Sequence, residues 1–390
     1  MNIVFGDVDT RANLLPLTFT RPTSALRCGI MTLSEKWQHF LSGSFSHCTI
    51  DYLQSSFPLN TEAENLLINP LVFPFEDLVR TIQELEKGSK LVKNDIWIAA
   101  HLSSEQLNVY SQNGSLELTS QEYSSEIRHV EFPWNLFQEN SDQIKSDYQV
   151  LTHGRTSAAA HESSTLLGDH VFIEDGAKVI NCSLNSLDGP IYIGKNATVQ
   201  DGAFIKGPFA LCDGATVNMG AKIRDGSTIG PHCKVGGEVN NSIMIGYSNK
   251  GHDGFMGNSI LGEWCNLGAD TNTSNLKNNY SNVRVWSYAA NKAIDTQSQF
   301  CGLIMGDHSK CGINTMFNTG TVVGVAANIF GGDFPPKLIP SFSWGGSSGF
   351  ERYRFDKAID VAEKVMARRK VALKQTDIDI LDHINKNTDY

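Results

Sequence analysis

A single histidine stands between two glycines in the stretch that carries most of the chain's candidate chemistry. The segment from Lys250 to Asn275 reads KGHDGFMGNSILGEWCNLGADTNTSN and contains His252 and Asn266. An imidazole with an ordinary pKa of about 6.5 can accept a proton from an attacking amine at neutral pH. Carboxamides can then hold an acyl group or stabilise an oxyanion. These residue types allow His252 to act as a catalytic base; a purely structural turn histidine is the alternative.

The residues that must position this stretch show a six-residue repeat. A period of six matches neither an amphipathic helix nor one long strand, but it is typical of short strands joined by tight turns. Three such hexapeptides form one triangular coil of a parallel β-helix. The repeat lapses near Asn241, resumes at Leu261 and Leu267 and is clear again from Met305, so the stretch at about 242–300 is expected to consist of coils that carry inserted loops. The apolar positions of the repeat are Ile193, Val199, Ile205, Leu211, Val217, Ile223, Ile229 and Val235.

The first 150 residues have a different pattern. Short apolar runs such as MNIVFG and ENLLINPLVF alternate with helical segments such as SALRCGIMTLSEKWQHFL. This alternation predicts a small Rossmann-like α/β domain. After Phe350 the sequence becomes a charged amphipathic helix, with a shorter one after Thr376. We therefore expect an α/β domain at 1–150, a β-helix at 151–345 and a helical extension at 346–390.

Composition disfavours several classes of partner. The chain has 390 residues, a formal net charge of −10 and no basic stripe, so nucleic acid and anionic membrane surfaces are not expected as partners. No apolar run approaches the ~20 residues of a membrane span, and the N-terminus lacks a signal-peptide pattern. The eight cysteines form no CxxC pair or zinc-like spacing, which fits free thiols in a reducing cytoplasm. We expect a cytoplasmic protein without a metal site in its β-helix.

The motif around His252 resembles the left-handed β-helix acyltransferases. Within them it is most similar to the acetyltransferase domain of the bifunctional N-acetylglucosamine-1-phosphate uridyltransferase and glucosamine-1-phosphate acetyltransferase family, especially archaeal and Bacteroidetes-type relatives. That family places a histidine before a (Tyr/Phe)-x-Gly-(Asp/Asn) turn, followed by I-G-x-x-x-N-x-G-A-G-T. Here the matching run is HDGFMGNSILGEWCNLGADT, and a later run reads IMGDHSKCGINTMFNTGTVVG. The resemblance spans roughly residues 191–331 and implies a homotrimer that uses acetyl-CoA.

The resemblance assigns roles residue by residue. His252 and Asn266 are the implied catalytic pair, and Asn275 offers a second amide for the acyl group or the sugar. Arg224 matches the arginine that binds the sugar phosphate, for which its planar fork is suited. Acetyl-CoA would lie along a groove between subunits. The matching positions for it are Gly312, Ile313 and Gly331.

Two positions depart from the family's substrate site. Asn240 stands where the family has a phosphate-binding lysine, and Phe255 stands where it has a tyrosine. These two residues complete the expected substrate-binding set, but one cation and one hydroxyl are lost. The acceptor is therefore not necessarily glucosamine 1-phosphate. Lys222 or Lys250 could supply the missing cation.

The N-terminal domain resembles a sugar nucleotidyltransferase. That family opens with a strand, then G-x-G-T-R-M and later P-K, and the corresponding run here is VFGDVDTRANLLPLTFTRPTSAL. The resemblance matches Arg11 to the motif arginine and Arg21 to the lysine, which implies nucleotide binding; the favoured alternative is that both arginines only pair with Asp7 or Asp9. Asp7 and Asp9 replace the glycine cradle and would repel phosphates unless one of them held Mg²⁺. Asn69 follows the strand that normally ends in a magnesium-binding aspartate, so nucleotidyl transfer is expected to be weak or absent.

Three functions stay open at this point. The first is an acetyl-CoA-dependent N-acetyltransferase acting on an amino sugar phosphate or a nucleotide-linked amino sugar. The second is a sugar-1-phosphate nucleotidyltransferase of the uridylyl or thymidylyl type, whose β-helix serves trimer assembly. The third is a non-catalytic trimeric scaffold that binds sugar nucleotides. The pair His252 and Asn266 favours the first function, and the missing glycine loop argues against the second.

Overall fold

A computed structural model describes residues 2–115 and 117–388, which form two compact units. The first unit contains segments 2–14, 20–26 and 31–132, and the second contains 15–19, 27–30 and 133–388. The domain boundary expected at residue 150 falls inside a helix, Pro133–Thr152, that belongs to the second unit.

The first unit has the expected α/β architecture, built on one six-stranded mixed sheet. The strands are β1 Asn2–Gly6, β2 Ser44–Cys48, β3 Glu64–Ile68, β4 Ser89–Lys93, β5 Ile96–Ser103 and β6 Thr119–Glu122. Their order in the sheet is β2-β1-β3-β5-β4-β6. The pairs β1–β2, β1–β3 and β4–β6 are parallel, and the pairs β3–β5 and β4–β5 are antiparallel. The helices are α1 Leu33–Phe40, α2 Asp51–Gln54, α3 Glu76–Gln83 and α4 Ser104–Asn113, with 3₁₀ turns at Arg11–Leu14 and Thr23–Ala25.

The helix expected between Ser24 and Leu41 is much shorter than its apolar periodicity indicates. It begins only at Leu33, because Thr32 Oγ1 accepts the N–H of Glu35 and the Glu35 carboxylate accepts the N–H of Thr32. This reciprocal pair is a capping box, which fixes a helix N-terminus. The periodicity upstream of Thr32 therefore reflects burial in non-helical backbone.

The second unit is dominated by a left-handed parallel β-helix, which confirms the architecture expected from the repeat. Its three sheets are called face 1, face 2 and face 3, and the chain visits them in that order within each coil. Face 1 consists of Thr165–Leu167, Ser183–Asn185, Phe204–Lys206, Lys222–Ile223, Glu238–Asn240, Phe255–Gly257, Asn272–Thr273 and Met316–Phe317. Face 2 consists of Val171–Ile173, Ile191–Ile193, Phe209–Leu211, Ser227–Ile229, Ile243–Gly246, Ile260–Glu263, Leu303–Met305, Thr321–Val323 and Leu338–Ile339. Face 3 consists of Lys178–Val179, Thr198–Val199, Thr216–Val217, Lys234–Val235, Asn249–Lys250, Asn266–Leu267, Lys310–Cys311, Asn328–Ile329, Ser343–Gly346 and the antiparallel Gly349–Arg352.

The eight repeat positions form the core of this β-helix. Each is at most 3% exposed, and successive coils stack them in register, as in the pairs Leu211 with Ile229 and Val217 with Val235. Burying one such side chain contributes roughly 1.5–3 kcal/mol relative to leaving it exposed. The column of buried apolar side chains is therefore the main source of the solenoid's stability.

The irregular stretch of the repeat contains one large insertion. Coils continue in register through 242–273, where Ile243 pairs with Ile260, and Ile260 pairs in turn with Ile304 beyond the insertion. The inserted segment, 274–302, carries an antiparallel hairpin of Arg284–Ser287 and Lys292–Asp295. The stretch thus consists of coils with an inserted loop, as expected. In this second unit the helices are α5 Pro133–Thr152, α6 Phe355–Ala367 and α7 Gln375–Lys386. Among the described residues, no helix combines the length and apolarity that crossing a membrane requires.

Candidate functional site

His252 lies in a loop at the corner where the chain passes from face 3 to face 1. The loop, residues 250–254, exposes the imidazole, but every backbone carbonyl in it is hydrogen-bonded. The bonds are Lys250 O from Gly236 N (2.7 Å), Gly251 O from Asn218 Nδ2 (2.7 Å), His252 O from Lys250 Nζ (2.6 Å), Asp253 O from Asp270 N (3.1 Å) and Gly254 O from Glu238 N (3.2 Å). Satisfied backbone groups resist rearrangement. The loop therefore presents a solvent-facing side chain from a fixed backbone.

The glycines around His252 have a packing cause. Gly254 adopts φ of 110°, and a Cβ there would overlap Thr271 O of the next coil. A Cβ on Gly237, in the preceding coil, would lie 2.7 Å from Gly254 O. Only glycine fits where backbones approach this closely or require positive φ. Coil stacking alone thus explains the glycines around His252, so they are not evidence of a catalytic loop.

A shortened turn opens a depression beside the His252 loop. Ile223 follows the core position Val217 by six positions, whereas Val239 follows Val235 by only four. The turn Gly236-Gly237 is therefore two residues shorter. We call this turn the notch. The cavity here has a volume of about 360 Å³. Its lining consists of Gly220, Lys222, Gly237, Glu238, Asp253, Gly254, Phe255 and Asn272.

The charges of this depression are mixed. Lys222 contributes a cation, whereas Glu238 and Asp253 contribute carboxylates. Arg224 Nη1 lies 3.7 Å from Glu238 Oε1, and the two side chains are 60% and 41% exposed. Such an exposed ion pair is weak and exchanges readily for a ligand. The site thus offers partners to both an anionic and a cationic group, and it is not a simple phosphate site.

The remaining predicted substrate residues lie on or beside face 1. Asn240 ends a face 1 strand and is in register with Gly257, two residues after Phe255. The backbone N–H of Phe255 donates to Asn272 Oδ1 at 2.8 Å. Asn275 lies at the corner after face 1, where its Nδ2 donates to Asn258 Oδ1 at 2.8 Å. Asn275 therefore has a structural partner already.

Asn266 lies on face 3, away from the face 1 residues. Its side chain is exposed, and its Oδ1 accepts from Asn249 Nδ2 at 3.4 Å. Arg369 Nη2 is 3.4 Å from Asn249 Oδ1, which extends this polar row. Within the described part of the chain no hydrogen bond joins Asn266 to His252. The two predicted catalytic residues thus flank the same corner from different coils without contacting each other.

The three positions expected to bind acetyl-CoA lie along the same corner as His252. Gly312 and Ile313 follow the face 3 strand Lys310–Cys311, and Gly331 comes two residues after the strand Asn328–Ile329. These strands are two and three coils beyond Asn249–Lys250. At about 4.8 Å per coil, the positions are displaced by roughly 10 and 14 Å along the solenoid axis. The three positions and His252 therefore lie on one corner of the solenoid, in coils that follow one another.

Lys250 is not the surface cation that the sequence indicated. Its side chain is 2% exposed and points into the solenoid, in register with the core residue Val235. Its Nζ donates to His252 O at 2.6 Å and to Asp253 O at 3.3 Å. Burial lowers the pKa of Lys250 to about 8. Lys250 therefore cannot replace the missing phosphate ligand, whereas the exposed Lys222 can.

In the first unit the two loop aspartates are engaged with protein groups. Asp7 is 1% exposed, and its Oδ2 accepts the N–H of Thr23 at 2.7 Å; burial raises its pKa. Asp9 accepts from Trp97 Nε1 at 2.9 Å and from the Tyr110 hydroxyl at 3.3 Å. Asp7 Oδ2 and both carboxylate oxygens of Asp9 therefore accept hydrogen bonds from the protein itself.

Arg11 and Arg21 are both buried, at 7% and 6% exposure. The Arg11 guanidinium lies 5.7 Å from the centre of the Tyr52 ring, and its Nη2 donates to the Tyr52 hydroxyl at 3.3 Å. Asn69 Nδ2 donates to Trp97 O at 2.9 Å, so its side chain shapes a turn. Across residues 2–115 and 117–388, no three His, Cys, Asp or Glu side chains are grouped in a way that could hold a metal ion.

Asn218 and Lys250 both bond the His252 loop, but from the sequence Asn218 was not a candidate and Lys250 was considered only as a phosphate ligand. The available signal was the register: continuing the inward positions along face 3 places Lys250 directly after Val217 and Val235. A lysine at an inward position of a β-helix is unusual, because burying an ammonium is costly unless it is bonded.

Comparisons with known proteins find similar sequences among transferases. Residues 2–156 match the family model described as sugar nucleotidyl transferase. The bifunctional sugar-1-phosphate nucleotidylyltransferase/acetyltransferase of Sulfurisphaera tokodaii is 25% identical over 237 residues, covering 57% of this chain and 52% of that protein. The bifunctional protein GlmU of Methanocaldococcus jannaschii is 37% identical over 87 residues, covering 22% and 21%. The chain thus spans about half or less of the length of these curated relatives.

Among solved structures, an Arabidopsis UDP-N-acetylglucosamine acyltransferase matches 54% of this chain and 80% of its own, at 15% identity and a TM-score of 0.26. A Francisella novicida UDP-N-acetylglucosamine acyltransferase matches 59% and 92%, at 11% identity and a TM-score of 0.22.

Proposed function

We propose that this GlmU-like chain transfers an acetyl group from acetyl-CoA to the amine of an amino sugar phosphate or of a nucleotide-linked amino sugar. The observation that carries the proposal is the exposed imidazole of His252, held beside the depression at the notch on a loop whose carbonyls are all hydrogen-bonded. The position of Gly312, Ile313 and Gly331 on the same corner supports the placement of the acyl donor. Pre-organised geometry of this kind is what an acyl transfer between two bound substrates requires.

The chemistry follows from the groups present. One ring nitrogen of neutral His252 accepts the proton of the acceptor amine as that nitrogen attacks the thioester carbonyl. A C–N bond forms, the C–S bond breaks, and the imidazolium returns the proton to the leaving thiolate. Asn266, on the neighbouring coil, offers an amide to the acyl oxygen.

The depression also suggests how the acceptor binds. Lys222 and the loosely paired Arg224 can receive a phosphate, whereas Glu238 and Asp253 can receive the amine and the sugar hydroxyls. Phe255 lines the depression, so a sugar can pack against its ring. A zwitterionic amino sugar phosphate satisfies these charges better than a simple anion does.

The test is an assay of free thiol release from acetyl-CoA. Acceptors would be glucosamine 1-phosphate, galactosamine 1-phosphate and UDP- and dTDP-linked amino sugars, each with and without Mg²⁺. We expect transfer to at least one of them without a metal requirement. Failure with every acceptor, together with no binding of acetyl-CoA by calorimetry, would overturn the proposal.

A second candidate function is nucleotidyl transfer by the first unit, which the match of residues 2–156 to the sugar nucleotidyl transferase model favours. Against it, Asp7 Oδ2, both oxygens of Asp9 and Nη2 of Arg11 are engaged with protein groups. Pyrophosphate release from UTP or dTTP, with Mg²⁺ and a panel of sugar 1-phosphates, tests it. Robust turnover that disappears in Arg11→Ala would make this the main activity. Binding of sugar nucleotides with no turnover in either assay would favour a scaffold.

We also propose that the chain is a homotrimer with the acetyl-CoA track between subunits. The corner that carries His252 exposes several large apolar side chains, which is a common mark of a surface covered by a partner. They are Ile180 (41% exposed), Met219 (71%), Ile313 (69%) and Phe330 (43%).

A further inference from the structure

Lys250 occupies a position that the core would fill equally well with an apolar side chain. The inward residues of face 3 in the other coils from Val179 to Ile329 are apolar and belong to one hydrophobic cluster. Lys250 breaks that column, although it is among the largest fully buried side chains of the protein. A buried ammonium is unfavourable unless its hydrogen-bonding capacity is used. What Lys250 bonds to therefore decides why it is there.

The contacts of Lys250 lead only to the His252 loop. Its Nζ donates to His252 O at 2.6 Å and, more weakly, to Asp253 O at 3.3 Å. Among the described residues no ion pair forms at Lys250. Burial lowers its pKa to about 8, but a neutral amine keeps two N–H donors, so these contacts do not depend on its charge.

Asn218 holds the other side of the same residue. Its Nδ2 donates to Gly251 O at 2.7 Å, although Asn218 lies two coils before the loop. The notch makes this reach feasible, since the intervening turn, Gly236-Gly237, has no side chains. The two peptide groups that flank the Cα of His252 are thus each bonded by a side chain, the first by Asn218 and the second by Lys250.

We propose that Lys250 and Asn218 are positioning residues for acyl transfer: by fixing both peptide planes next to His252, they set the direction in which its imidazole points. This inference rests on the proposed role of His252 as general base. A displacement of a catalytic group by about 1 Å can lower the rate by roughly 100-fold, so such anchoring has a measurable effect on turnover.

The experiment compares Lys250→Met and Asn218→Leu with wild type. Both substitutions keep a side chain of similar shape and remove the donor that bonds the loop. Val199→Ala is the matched control, because it creates a cavity in the same face 3 column three coils before Lys250. The measurements are kcat and KM for acetyl-CoA and for the acceptor, the thermal midpoint, and amide hydrogen exchange of the peptide covering 250–256.

We expect both donor-deletion variants to lower kcat by at least ~10-fold with KM for acetyl-CoA nearly unchanged, because only the alignment of the base is lost. Hydrogen exchange in 250–256 should be faster in both. Val199→Ala should lower the thermal midpoint while keeping wild-type kcat and loop exchange. A shared loss in Val199→Ala would mean that general destabilisation, not positioning, explains the effect, and would overturn the proposal.

Wild-type kcat and wild-type loop exchange in both Lys250→Met and Asn218→Leu would also overturn it. If Lys250→Met does not fold, Asn218→Leu decides by the same two criteria. Failure of the proposed function is distinguishable. Faster loop exchange in the donor-deletion variants, combined with full activity of His252→Ala, would support the positioning of the loop and overturn His252 as the base.

Discussion

The side-chain amide of Asn218 donates a 2.7 Å hydrogen bond to the carbonyl oxygen of Gly251, across a coil that lies between them. The contact passes through the notch, where the turn is two residues shorter than its neighbours. The same shortening creates the depression beside His252. One local deletion in the repeat thus produces both a place for a ligand and the means to hold the group that faces it.

Replacing His252 by alanine should abolish acetyl transfer and leave the fold intact. The imidazole is exposed, and the loop's carbonyls are bonded by other residues, so little packing depends on it. Loss of a general base typically lowers the rate by about 10²–10⁴-fold. Thiol release with an acceptor shown to be used by wild type measures the effect, and circular dichroism checks the fold. Unchanged kcat would contradict the assignment.

Gly254→Ala should destabilise the protein, because φ of 110° is unfavourable for alanine and the new Cβ overlaps Thr271 O. Strain of this kind costs about 1–3 kcal/mol. Gly332→Ala is the control, since a Cβ at that position would meet no atom within 4 Å and its φ lies outside the left-handed region. Urea unfolding of the two variants should differ by at least ~1 kcal/mol. Equal stabilities would show that the coil stacking is looser here than described.

The buried amine of Lys250 should make stability depend on pH. Its pKa is about 8 in the folded protein and 10.5 as its ordinary value, so between these values the unfolded chain binds more protons. The free energy of unfolding therefore rises with pH across this window, by up to about 3 kcal/mol from this group. The measurement is the stability of wild type relative to Lys250→Met between pH 7 and pH 10. A difference that stays constant would mean that the amine is already neutral at pH 7 or is better solvated.

Met219→Glu should break the proposed trimer. Met219 is 71% exposed at the corner that carries His252, and a carboxylate there would be buried without a partner between subunits. Leu187→Glu is the control, because Leu187 is 70% exposed but follows a face 1 strand at a different corner. Sedimentation should show a trimer for wild type and Leu187→Glu and smaller species for Met219→Glu. A wild-type monomer at micromolar concentration would contradict the trimer and the track between subunits.

The sequence by itself determined the architecture of the second unit. The six-residue period works within each coil: an apolar residue must point inward once per strand, and turns must follow at fixed distances. Because the same condition recurs in every coil, the buried column could be named in advance, and all eight predicted positions are at most 3% exposed. Motif comparison likewise placed His252 in a glycine-rich loop.

Other features depended on the tertiary structure. The helical periodicity from Ser24 yields a helix only from Leu33, because the upstream backbone bonds elsewhere: the N–H of Gly29 donates to Asn140 Oδ1 at 2.6 Å, 111 residues away. The motif comparison left open whether Asp7 or Asp9 binds a metal, and only the structure shows that Asp7 Oδ2 and Asp9 Oδ2 accept protein donors. Periodicity records which residues are buried. It does not record which groups form hydrogen bonds with them.

The arrangement around His252 was decided in the same way. Lysine side chains are usually exposed, and only the stacking register places that of Lys250 in the core, where it bonds His252 O. Asn266 and His252 are close in sequence. In the structure His252 lies at a corner, whereas Asn266 lies on face 3 of the next coil. These relationships depend on how many residues each turn contains, and the short turn Gly236-Gly237 is the local example. The local sequence determines which residues of a coil point inward and where its turns lie. The stacking of the coils determines which side chains contact each other.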